Sequence, residues 1–295
     1  MSEPNPQGIA DTASFRALIT GGSGYLGSAL LALLARRHPG WEIHTTFHSH
    51  PPQAPAPRAH SLDLRDLSSA EQAILAVRPR LIVHTAAQMT GSPDDLRRVN
   101  VSGSEAVARA AAALDARLIH LSTDLVFDGE KGDYGEEDTP HPILPYGESK
   151  REGEQAVLEC ASNTVVVRTS LIYGFDPIDP RTAAVLGGTM PRLFTDEIRC
   201  PVWIRDLCAA LDELAALDYR GILHVAGPQP LSRYEFGLRL YRSLRSAAPP
   251  PLAARSAGSG MVRPLNCTLD TSRARRLLKT PLLDVDAALK SALID

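Results

Sequence analysis

Short apolar runs alternate with segments of helical periodicity through about the first 170 residues of the chain. The runs are bounded by turn-forming residues and are mostly apolar, as expected for strands covered on both faces. The predicted strands are 15–20, 41–47, 61–64, 80–85, 116–121 and 164–168, and the predicted helices are 28–37, 68–77, 94–114 and 146–161. This alternation predicts an α/β fold with a Rossmann-type, doubly wound parallel sheet.

The pattern becomes irregular in the rest of the chain. Residues 177–193 have no clear period, and residues 247–260 have the composition of a loop. The later predicted elements are a short strand that leads into a helix at 201–217, a strand at 222–226, and helices at 232–244, 271–278 and 284–293. Ser232 and Glu235 have the spacing of a capping box, which marks the start of one of these helices.

The same patterns predict the domain organisation. Residues 1–13 are polar and lack a basic-then-apolar signal pattern, so we expect a flexible N-terminal extension. Residues 14–170 form the predicted dinucleotide-binding domain. Residues 171–295 form a smaller C-terminal lobe that mainly binds substrate, and we expect elements at about 201–226 to return to the main domain.

Composition narrows the class of protein. Hydrophobic residues make up 44% and charged residues 22% of the chain, which is ordinary for a globular protein. The net charge of −3 favours neither a nucleic-acid nor an anionic-membrane partner, and no apolar run approaches the roughly 20 residues of a membrane span. The four cysteines are dispersed without a C-x-x-C pair, which argues against a zinc site or disulfide framework. We therefore predict a cytoplasmic protein without a metal, nucleic-acid or membrane partner.

A glycine-rich loop follows the first predicted strand. Gly21, Gly24 and Gly27 form a G-x-x-G-x-x-G pattern between a strand and a helix. Glycines permit a sharp turn and close approach to a pyrophosphate, and the helix N-terminus adds amide donors. The alternative is a purely structural turn. The predicted cofactor-binding residues of this loop are Gly21, Ser23, Gly24, Tyr25, Leu26 and Gly27.

Residues beyond the loop bear on the identity of the cofactor. Asp63, with Leu64 beside it, follows the third predicted strand and is positioned to accept from an adenine amino group; the alternative is a helix cap or surface acid. The second predicted strand ends without the acid that binds the ribose 2′-hydroxyl in many NAD sites. His48, Arg36 and Arg37 would tolerate a 2′-phosphate, so the sequence favours NADP(H) over NAD(H). The two arginines could instead simply end a helix favourably.

Tyr146 and Lys150 are four residues apart in a predicted helix, so they share one face. A phenol with a pKa of about 10 is a poor acid or base at neutral pH, and a nearby ammonium favours its ionised form. The pair alone is weak evidence for a catalytic site, since this spacing is common by chance. It gains weight because a strand ending in Ser122, Thr123 and Asp124 precedes it.

Longer motifs carry a resemblance to a known family. They are residues 122–129, 146–150 with Gly153 and Glu154, 168–174, 84–87, 99–101, 263–266 and 269–270. Together they resemble the extended short-chain dehydrogenase/reductase family, and within it the dTDP-4-dehydrorhamnose reductase-like group, over about 14–293. Many members of this family are dimers, which makes a homodimer possible for this chain.

The resemblance implies roles for individual residues. Tyr146 would protonate a carbonyl oxygen as hydride arrives from the nicotinamide. Lys150 would lower the pKa of Tyr146 and bind the nicotinamide ribose, and Thr123 would hold the same substrate oxygen. Ala86 and Ala87 would line the cofactor.

Further residues are candidates for binding the substrate or supporting the site. Asp124 joins Thr123 on the substrate side, and Ser122 would support the nicotinamide side. Arg205 and Arg263 are candidates for a substrate diphosphate because arginine offers a bidentate fork, although an ion pair is an equal alternative for each. Asn100 is either a site residue or a buried helix polar group.

Three departures from the group's pattern lie where the sugar is expected. Leu125 replaces the usual tyrosine, Leu171 replaces a tryptophan, and residues 88–92 differ from the common segment. The sequence therefore predicts an NAD(P)H-dependent oxidoreductase acting on a CH–OH/C=O group of a small molecule, a nucleotide-linked 4-keto sugar. One alternative is an epimerase or dehydratase, although Leu125 cannot do acid–base work. The other is a non-catalytic NADP-binding subunit resembling the methionine adenosyltransferase beta subunit.

Overall fold

The computed structural model describes residues 15–52, 58–257, 259–260 and 262–292. The predicted extension 1–13 lies outside these residues. The strands are β1 (Arg16–Thr20), β2 (Glu42–Phe47), β3 (Ala59–Ser61), β4 (Leu81–His84), β5 (Arg117–Thr123), β6 (Thr164–Thr169), β7 (Ile172–Tyr173), β8 (Arg192–Phe194), β9 (Ile198–Arg199), β10 (Val202–Trp203), β11 (Gly221–His224), β12 (Leu231–Ser232) and β13 (Leu252–Ala254).

Helices connect most of these strands. They are α1 (Tyr25–Arg37), α2 (Leu67–Val77), α3 (Pro93–Arg97), α4 (Ser104–Ala113), α5 (Pro145–Cys160), α6 (Pro180–Leu186), α7 (Ile204–Ala216), α8 (Arg233–Ser243), α9 (Ser272–Leu277) and α10 (Val285–Ala292). A π-helical turn at Arg98–Gly103 joins α3 to α4, and a 3₁₀ turn at Asp124–Val126 follows β5.

The central sheet has the strand order β11-β6-β5-β4-β1-β2-β3, and every neighbouring pair is parallel. The chain reverses its direction of travel between β1 and β4, the switch point where such sheets bind ligands at the carboxyl ends of their strands. Helices α1 and α7 supply apolar residues to one face, and α2, α4 and α5 supply them to the other. The predicted α/β doubly wound fold is confirmed.

The three adjacent strands β4, β5 and β6 are buried at every position. This explains their nearly continuous apolar sequence, because helices cover both faces of the sheet. Polar exceptions stand out against this background. His84, His120 and Arg168 are each at most 1% exposed, and they lie close to the carboxyl edge where the predicted site residues follow.

Several predicted boundaries were wrong. The third strand lies at β3 rather than 61–64, because the chain turns where the amide of Asp66 donates to the carbonyl of Asp63. The predicted helix 94–114 is interrupted by the π-helical turn. Residues 177–193 contain α6, which Asp179 caps through the amides of Arg181 and Thr182.

Other C-terminal elements extend beyond the pattern. The region 247–260 contains β13, which pairs in parallel with β8. The capping box of Ser232 and Glu235 is confirmed at α8. Helix α7 packs on α1, and β11 pairs with β6 at the edge of the central sheet. The remaining short strands form two-stranded sheets, β7 with β10, β8 with β13 and β9 with β12.

Candidate active site

The glycine loop turns tightly between β1 and α1. Gly21 has a φ of +72°, and a Cβ there would lie 2.9 Å from the Cα of Ala86. A Cβ at Gly27 would collide with the carbonyl oxygen of Gly21. Gly24 is the N-cap of α1 and provides no side-chain cap. The first-turn amides of α1, beginning at Tyr25, therefore remain suited to bind an anion.

The segment after β4 forms the wall beside this loop. Ala86 is partly buried and its amide donates to Thr20 Oγ1 at 3.3 Å, whereas Ala87 is exposed. Their small side chains keep the space above the loop open. Ala86 therefore lies against Gly21 of the loop, and Ala87 follows it at the surface.

Asp63 lies beyond β3 at the same edge of the sheet. Arg65 donates to its carboxylate from Nε at 2.9 Å and from Nη2 at 2.7 Å, and these bonds lower the pKa of Asp63 to about 2. Arg65 Nη2 also lies 3.1 Å from His48 Nε2. Leu64 is buried and faces the core. Arg65 was not among the residues predicted from the sequence, although it adjoins Leu64 and lies two residues from Asp63.

The predicted contribution of Arg36 and Arg37 to a 2′-phosphate site was wrong. They end α1, whose 13 residues carry them about 20 Å from the glycine loop. Arg37 Nη1 pairs with Asp212 Oδ2 of α7 at 2.9 Å, and His38 Nε2 lies 2.7 Å from the other oxygen of that carboxylate. These residues therefore join α1 to α7 at the opposite edge of the sheet.

Thr123 and Asp124 occupy the carboxyl end of β5. Thr123 Oγ1 accepts from the amide of Leu125 at 3.2 Å. Asp124 is only 4% exposed and accepts from Ser170 Oγ at 2.6 Å, and Arg199 Nε lies 3.6 Å away. Burial raises the pKa of Asp124, which these partners oppose. Asp124 thus lies beneath the site as a buried, protein-bound carboxyl.

Helix α5 carries Tyr146 and Lys150 to the same place. Pro145 begins the helix, and a Cβ at Gly147 would collide with the carbonyl of Leu125. The first turn of α5 is therefore held against the turn that follows Thr123. Tyr146 is partly buried, and Lys150 is 2% exposed.

The electrostatics of the pair differ from the prediction. Burial, reinforced by Asp124, raises the pKa of Tyr146 to about 12. Burial lowers the pKa of Lys150 to about 8 against the opposing effect of Glu154. Lys150 Nζ lies 3.3 Å from His120 Nε2. The pKa of Tyr146 is therefore raised rather than lowered, because its burial outweighs the other effects and Lys150 contacts a histidine.

Ser122 belongs to a buried polar cluster rather than to the predicted nicotinamide side. Its hydroxyl donates to Glu154. Arg168 donates to the same carboxylate from Nε at 2.9 Å and from Nη2 at 2.7 Å. This cluster anchors α5 to β5 and β6 directly below the site.

Asn100 lies in the π-helical turn and is fully buried. Its amide group accepts from the backbone of Gln88 at 2.8 Å, donates to the Gln88 carbonyl at 2.8 Å, and donates to Ser149 Oγ at 2.9 Å. It therefore ties the segment after Ala87 to α5. Of the two alternatives, the structure supports the buried hydrogen-bonding role.

The two arginines predicted to bind a diphosphate have other contacts. Arg205 stacks over the ring of Trp203 at 5.2 Å, and Arg263 pairs with Glu197 at 3.0 Å. The ion-pair alternative therefore describes Arg263, and an aromatic contact describes Arg205.

Two arginines that were not predicted from the sequence interact electrostatically with Asp124 or Tyr146. Arg181 of α6 and Arg233 of α8 line a small cleft together. Arg181 acts electrostatically on both Asp124 and Tyr146. Burial, and then the charge of Arg181, lower the pKa of Arg233 to about 10. The Asp179-Pro180 start signal of α6 was the available clue to Arg181.

The family of the chain follows from comparison with known proteins. The family model described as RmlD substrate binding domain matches residues 15–295. The chain belongs to the dTDP-4-dehydrorhamnose reductase-like group of the extended short-chain dehydrogenases/reductases.

Individual relatives fall into two kinds. Methionine adenosyltransferase 2 subunit beta from Bos taurus is 30% identical over 89% of this chain and 82% of its own length. A probable low-salt glycan biosynthesis reductase, Agl14, from Haloferax volcanii is 30% identical over 95% of this chain and 98% of its own length. The crystal structure of a dTDP-4-dehydrorhamnose reductase from Bacillus anthracis, in complex with NADP, superposes with a TM-score of 0.82 at 25% identity, covering 95% of this chain and 99% of that one.

Three further features concern metals, membranes and thiols. Within residues 15–52, 58–257, 259–260 and 262–292, no cluster of three or more histidines, cysteines or acids could hold a metal ion. Across the same parts of the chain, every helix is too short or too polar to span a bilayer. The cysteines Cys160, Cys200, Cys208 and Cys267 are free thiols.

Proposed function

We propose that the chain is an NAD(P)H-dependent reductase that converts a ketone of a nucleotide-linked sugar to an alcohol. The observation that carries the proposal is the packing of α5, which carries Tyr146 and Lys150, against β5, which ends at Thr123. The relationship to reductases, including the Haloferax protein, supports it.

The chain's own residues fit a dinucleotide. The glycines at 21 and 27 permit the tight turn between β1 and α1, and the uncapped first turn of α1 would offer amide donors to a pyrophosphate. Ala86 and Ala87 leave room for the nicotinamide. A nicotinamide cofactor would supply the hydride that adds to the carbonyl carbon.

The proton would come from Tyr146. Its pKa of about 12 keeps the phenol protonated at neutral pH, so the proton is available, but so weak an acid needs a nearby positive charge to release it. Thr123 would donate a hydrogen bond to the same oxygen and orient it. Lys150, largely an ammonium below its pKa of about 8, would stabilise the phenolate that forms and bind the ribose hydroxyls.

NADP(H) is the proposed form of the cofactor. Arg65 and His48 lie together beyond β3 and β2, where a 2′-phosphate of the adenosine ribose would extend. Arg65 also neutralises Asp63, the acid that would otherwise repel a phosphate. The NADP complex of the related Bacillus reductase supports this choice.

The substrate is proposed to carry a diphosphate. Arg181 and Arg233 line one cleft and act on the carboxylate of Asp124 near Tyr146, so an anion bound there would lie close to the proton donor. Both belong to residues 171–295, which we propose as mainly the substrate lobe. Leu125, which is partly buried, would give the sugar a more apolar contact than the group's tyrosine provides, whereas Leu171 packs in the core.

The test is a screen of NADPH and NADH against nucleotide-linked 4-keto sugars. Turnover is measured as the loss of absorbance of the reduced nicotinamide. We expect turnover with at least one ketone and faster turnover with NADPH. Binding of the dinucleotide without reduction of any such ketone would contradict the proposal. Tightly retained NAD on the purified protein would instead favour an epimerase or dehydratase.

A second candidate is a cofactor-bound regulatory subunit. The observation that favours it is the 30% identity, over 89% of the chain, to methionine adenosyltransferase 2 subunit beta. This role predicts that NADPH promotes capture of a partner enzyme while no ketone is reduced. A pull-down with and without NADPH, run beside the ketone screen, separates the two.

A further inference from the structure

Lys150 has an unusual partner for a buried ammonium. Its Nζ lies 3.3 Å from Nε2 of His120, which projects from β5 beneath the catalytic Thr123. His120 is fully buried, and burial lowers its pKa well below the usual value, with further lowering by Lys150. Burial therefore favours the neutral imidazole.

The other groups around Lys150 are already engaged. On β4, His84 lies 2.6 Å from Thr20 Oγ1 and 3.0 Å from Ser104 Oγ, so both of its ring nitrogens have partners. Its ring centroid is 5.2 Å from that of His120.

The charged groups near Lys150 are also held by the protein. On α5, Glu154 accepts from Ser122 and from Arg168 of β6. Tyr146 precedes Lys150 by one turn of the same helix. His120 is the neighbour whose ring lies against Lys150 Nζ, and among the described residues its Nδ1 has no partner.

The chemistry of imidazole restricts how this contact works. A charged Lys150 can only donate, so Nε2 must accept and the ring proton must sit on Nδ1. A neutral Lys150 could accept from Nε2–H, which would leave Nδ1 as an unprotonated, unpartnered acceptor. The two arrangements respond in opposite ways to loss of the imidazole, because an acceptor favours the charged lysine and a donor favours the neutral one.

We infer that His120 is a positioning residue for the proposed reduction. Its Nε2 accepts one hydrogen bond from the Lys150 ammonium. This bond directs the remaining N–H groups of the ammonium toward the end of β5, where Tyr146 would meet the cofactor. The purpose of this arrangement rests on the proposed function. The bond itself is a property of the protein without any ligand. The two parts can therefore be tested separately.

The test of the bond uses lysine NMR. The chain contains four lysines, Lys131, Lys150, Lys279 and Lys290, so side-chain labelled lysine gives few signals, and the one lost in Lys150→Met identifies Lys150. His120→Gln keeps an acceptor near the Nε2 position, and His120→Met removes it at similar volume.

The inference predicts that the two variants differ in the pKa of Lys150. In His120→Met the pKa of Lys150 should fall by about one unit or more, because the charged form loses its acceptor; in His120→Gln it should remain near the wild-type value. His224→Gln, a change at another buried histidine on β11, should leave it unaltered. An unchanged or raised pKa of Lys150 in His120→Met would overturn the inference.

The unmodified protein provides a second measurement that does not depend on how a variant folds. Histidine ¹⁵N NMR should find the proton of His120 on Nδ1 at pH values below the pKa of Lys150. A proton on Nε2 under these conditions overturns the inference, because that nitrogen could not accept from an ammonium.

Cofactor binding connects the bond to function. NADPH affinity, measured by fluorescence titration, should weaken about tenfold in His120→Met and recover in His120→Gln, as is typical when a supporting residue is removed. If the pKa of Lys150 falls in His120→Met but the wild type reduces no ketone, the proposed function is refuted and the hydrogen bond is supported. If the wild type reduces a ketone but the pKa of Lys150 does not fall in His120→Met, the hydrogen bond is refuted and the proposed function is supported.

Discussion

The hydroxyl group of Tyr25 donates a hydrogen bond of 3.0 Å to the carbonyl oxygen of Pro177. Tyr25 begins α1 in the glycine loop, and Pro177 lies just before α6. A Cβ at Gly174 would collide with the Tyr25 hydroxyl, so the segment packs closely against this ring. Because α6 begins three residues after Pro177 and carries Arg181 in its first turn, this hydrogen bond links the proposed cofactor loop to the start of the helix that carries the proposed substrate arginine.

This contact predicts a selective effect of Tyr25→Phe. The ring and the backbone amide remain, so NADPH affinity should stay within about twofold of wild type. Loss of one hydrogen bond, worth about 1 kcal/mol, should raise KM for the ketone about fivefold as α6 loosens. Tyr241→Phe, which deletes a bond to the Ala248 carbonyl, is the matched control and should change neither value. Equal KM values for the ketone in Tyr25→Phe and Tyr241→Phe would refute the coupling between the glycine loop and α6.

Removal of the proposed proton donor should affect the chemical step. Tyr146→Phe deletes only the hydroxyl, so we expect kcat to fall about 10²–10⁴-fold while NADPH affinity is unchanged. Steady-state kinetics together with a fluorescence titration of NADPH measure the two effects. Wild-type turnover in this variant with every accepted ketone would exclude Tyr146 as the acid.

The pH dependence should report Lys150. Its ammonium is present below the pKa of about 8 and is lost as the pH rises through that value, so kcat/KM for ketone reduction should decline above about pH 8. Tyr146 does not contribute to this limb, because its pKa of about 12 lies far above it. A profile that stays flat to pH 10 would contradict the requirement for the ammonium, and Lys150→Met should abolish the decline along with most of the activity.

Local sequence was sufficient for some parts of the site. The glycine loop and the Tyr146–Lys150 pair depend on a strand–turn–helix context and on a spacing of four residues, and neither needs long-range information. The position of Arg36 and Arg37 was also predictable in principle. A crossover helix in a parallel sheet runs back along its strands, so its last turn lies at the edge opposite the glycine loop.

Other parts depended on the tertiary structure. Arg181 and Arg233 lie in two helices far apart in the chain, and a segment without clear periodicity hid the first of them. The pKa of Tyr146 depends on how deeply α5 is buried, which spacing does not reveal. His120 appeared only as one residue of a strand, because its contact with Lys150 arises when α5 packs on β5.

The proposed preference for NADP predicts a change in Arg65→Ala. This variant removes a cation from the end of β3, so KM for NADPH should rise about tenfold or more, as expected for loss of a charge-assisted bond, while KM for NADH changes little. Arg36→Ala is the matched control, since Arg36 lies at the far end of α1. An unchanged ratio of the two KM values in Arg65→Ala would contradict the assignment of the 2′-phosphate site.

The proposed diphosphate site predicts a substrate-dependent effect of Arg233→Met. Methionine preserves much of the side-chain volume but removes the charge, so KM for a nucleotide-linked ketone should rise about 10–100-fold. Inhibition by a nucleoside diphosphate should weaken in parallel. The rate with a small ketone that lacks phosphate should stay near wild type, because Tyr146, Lys150 and Thr123 are unaltered.

Arg242→Met provides the control on the same helix, since Arg242 is exposed in the last turn of α8 and lies away from the cleft. Its KM for the nucleotide-linked ketone should match wild type. A rise in KM for phosphate-free and nucleotide-linked ketones alike in Arg233→Met would mean that the change distorts the site generally. That result would remove the diphosphate from the proposal, because an arginine that binds phosphate must distinguish substrates by their charge.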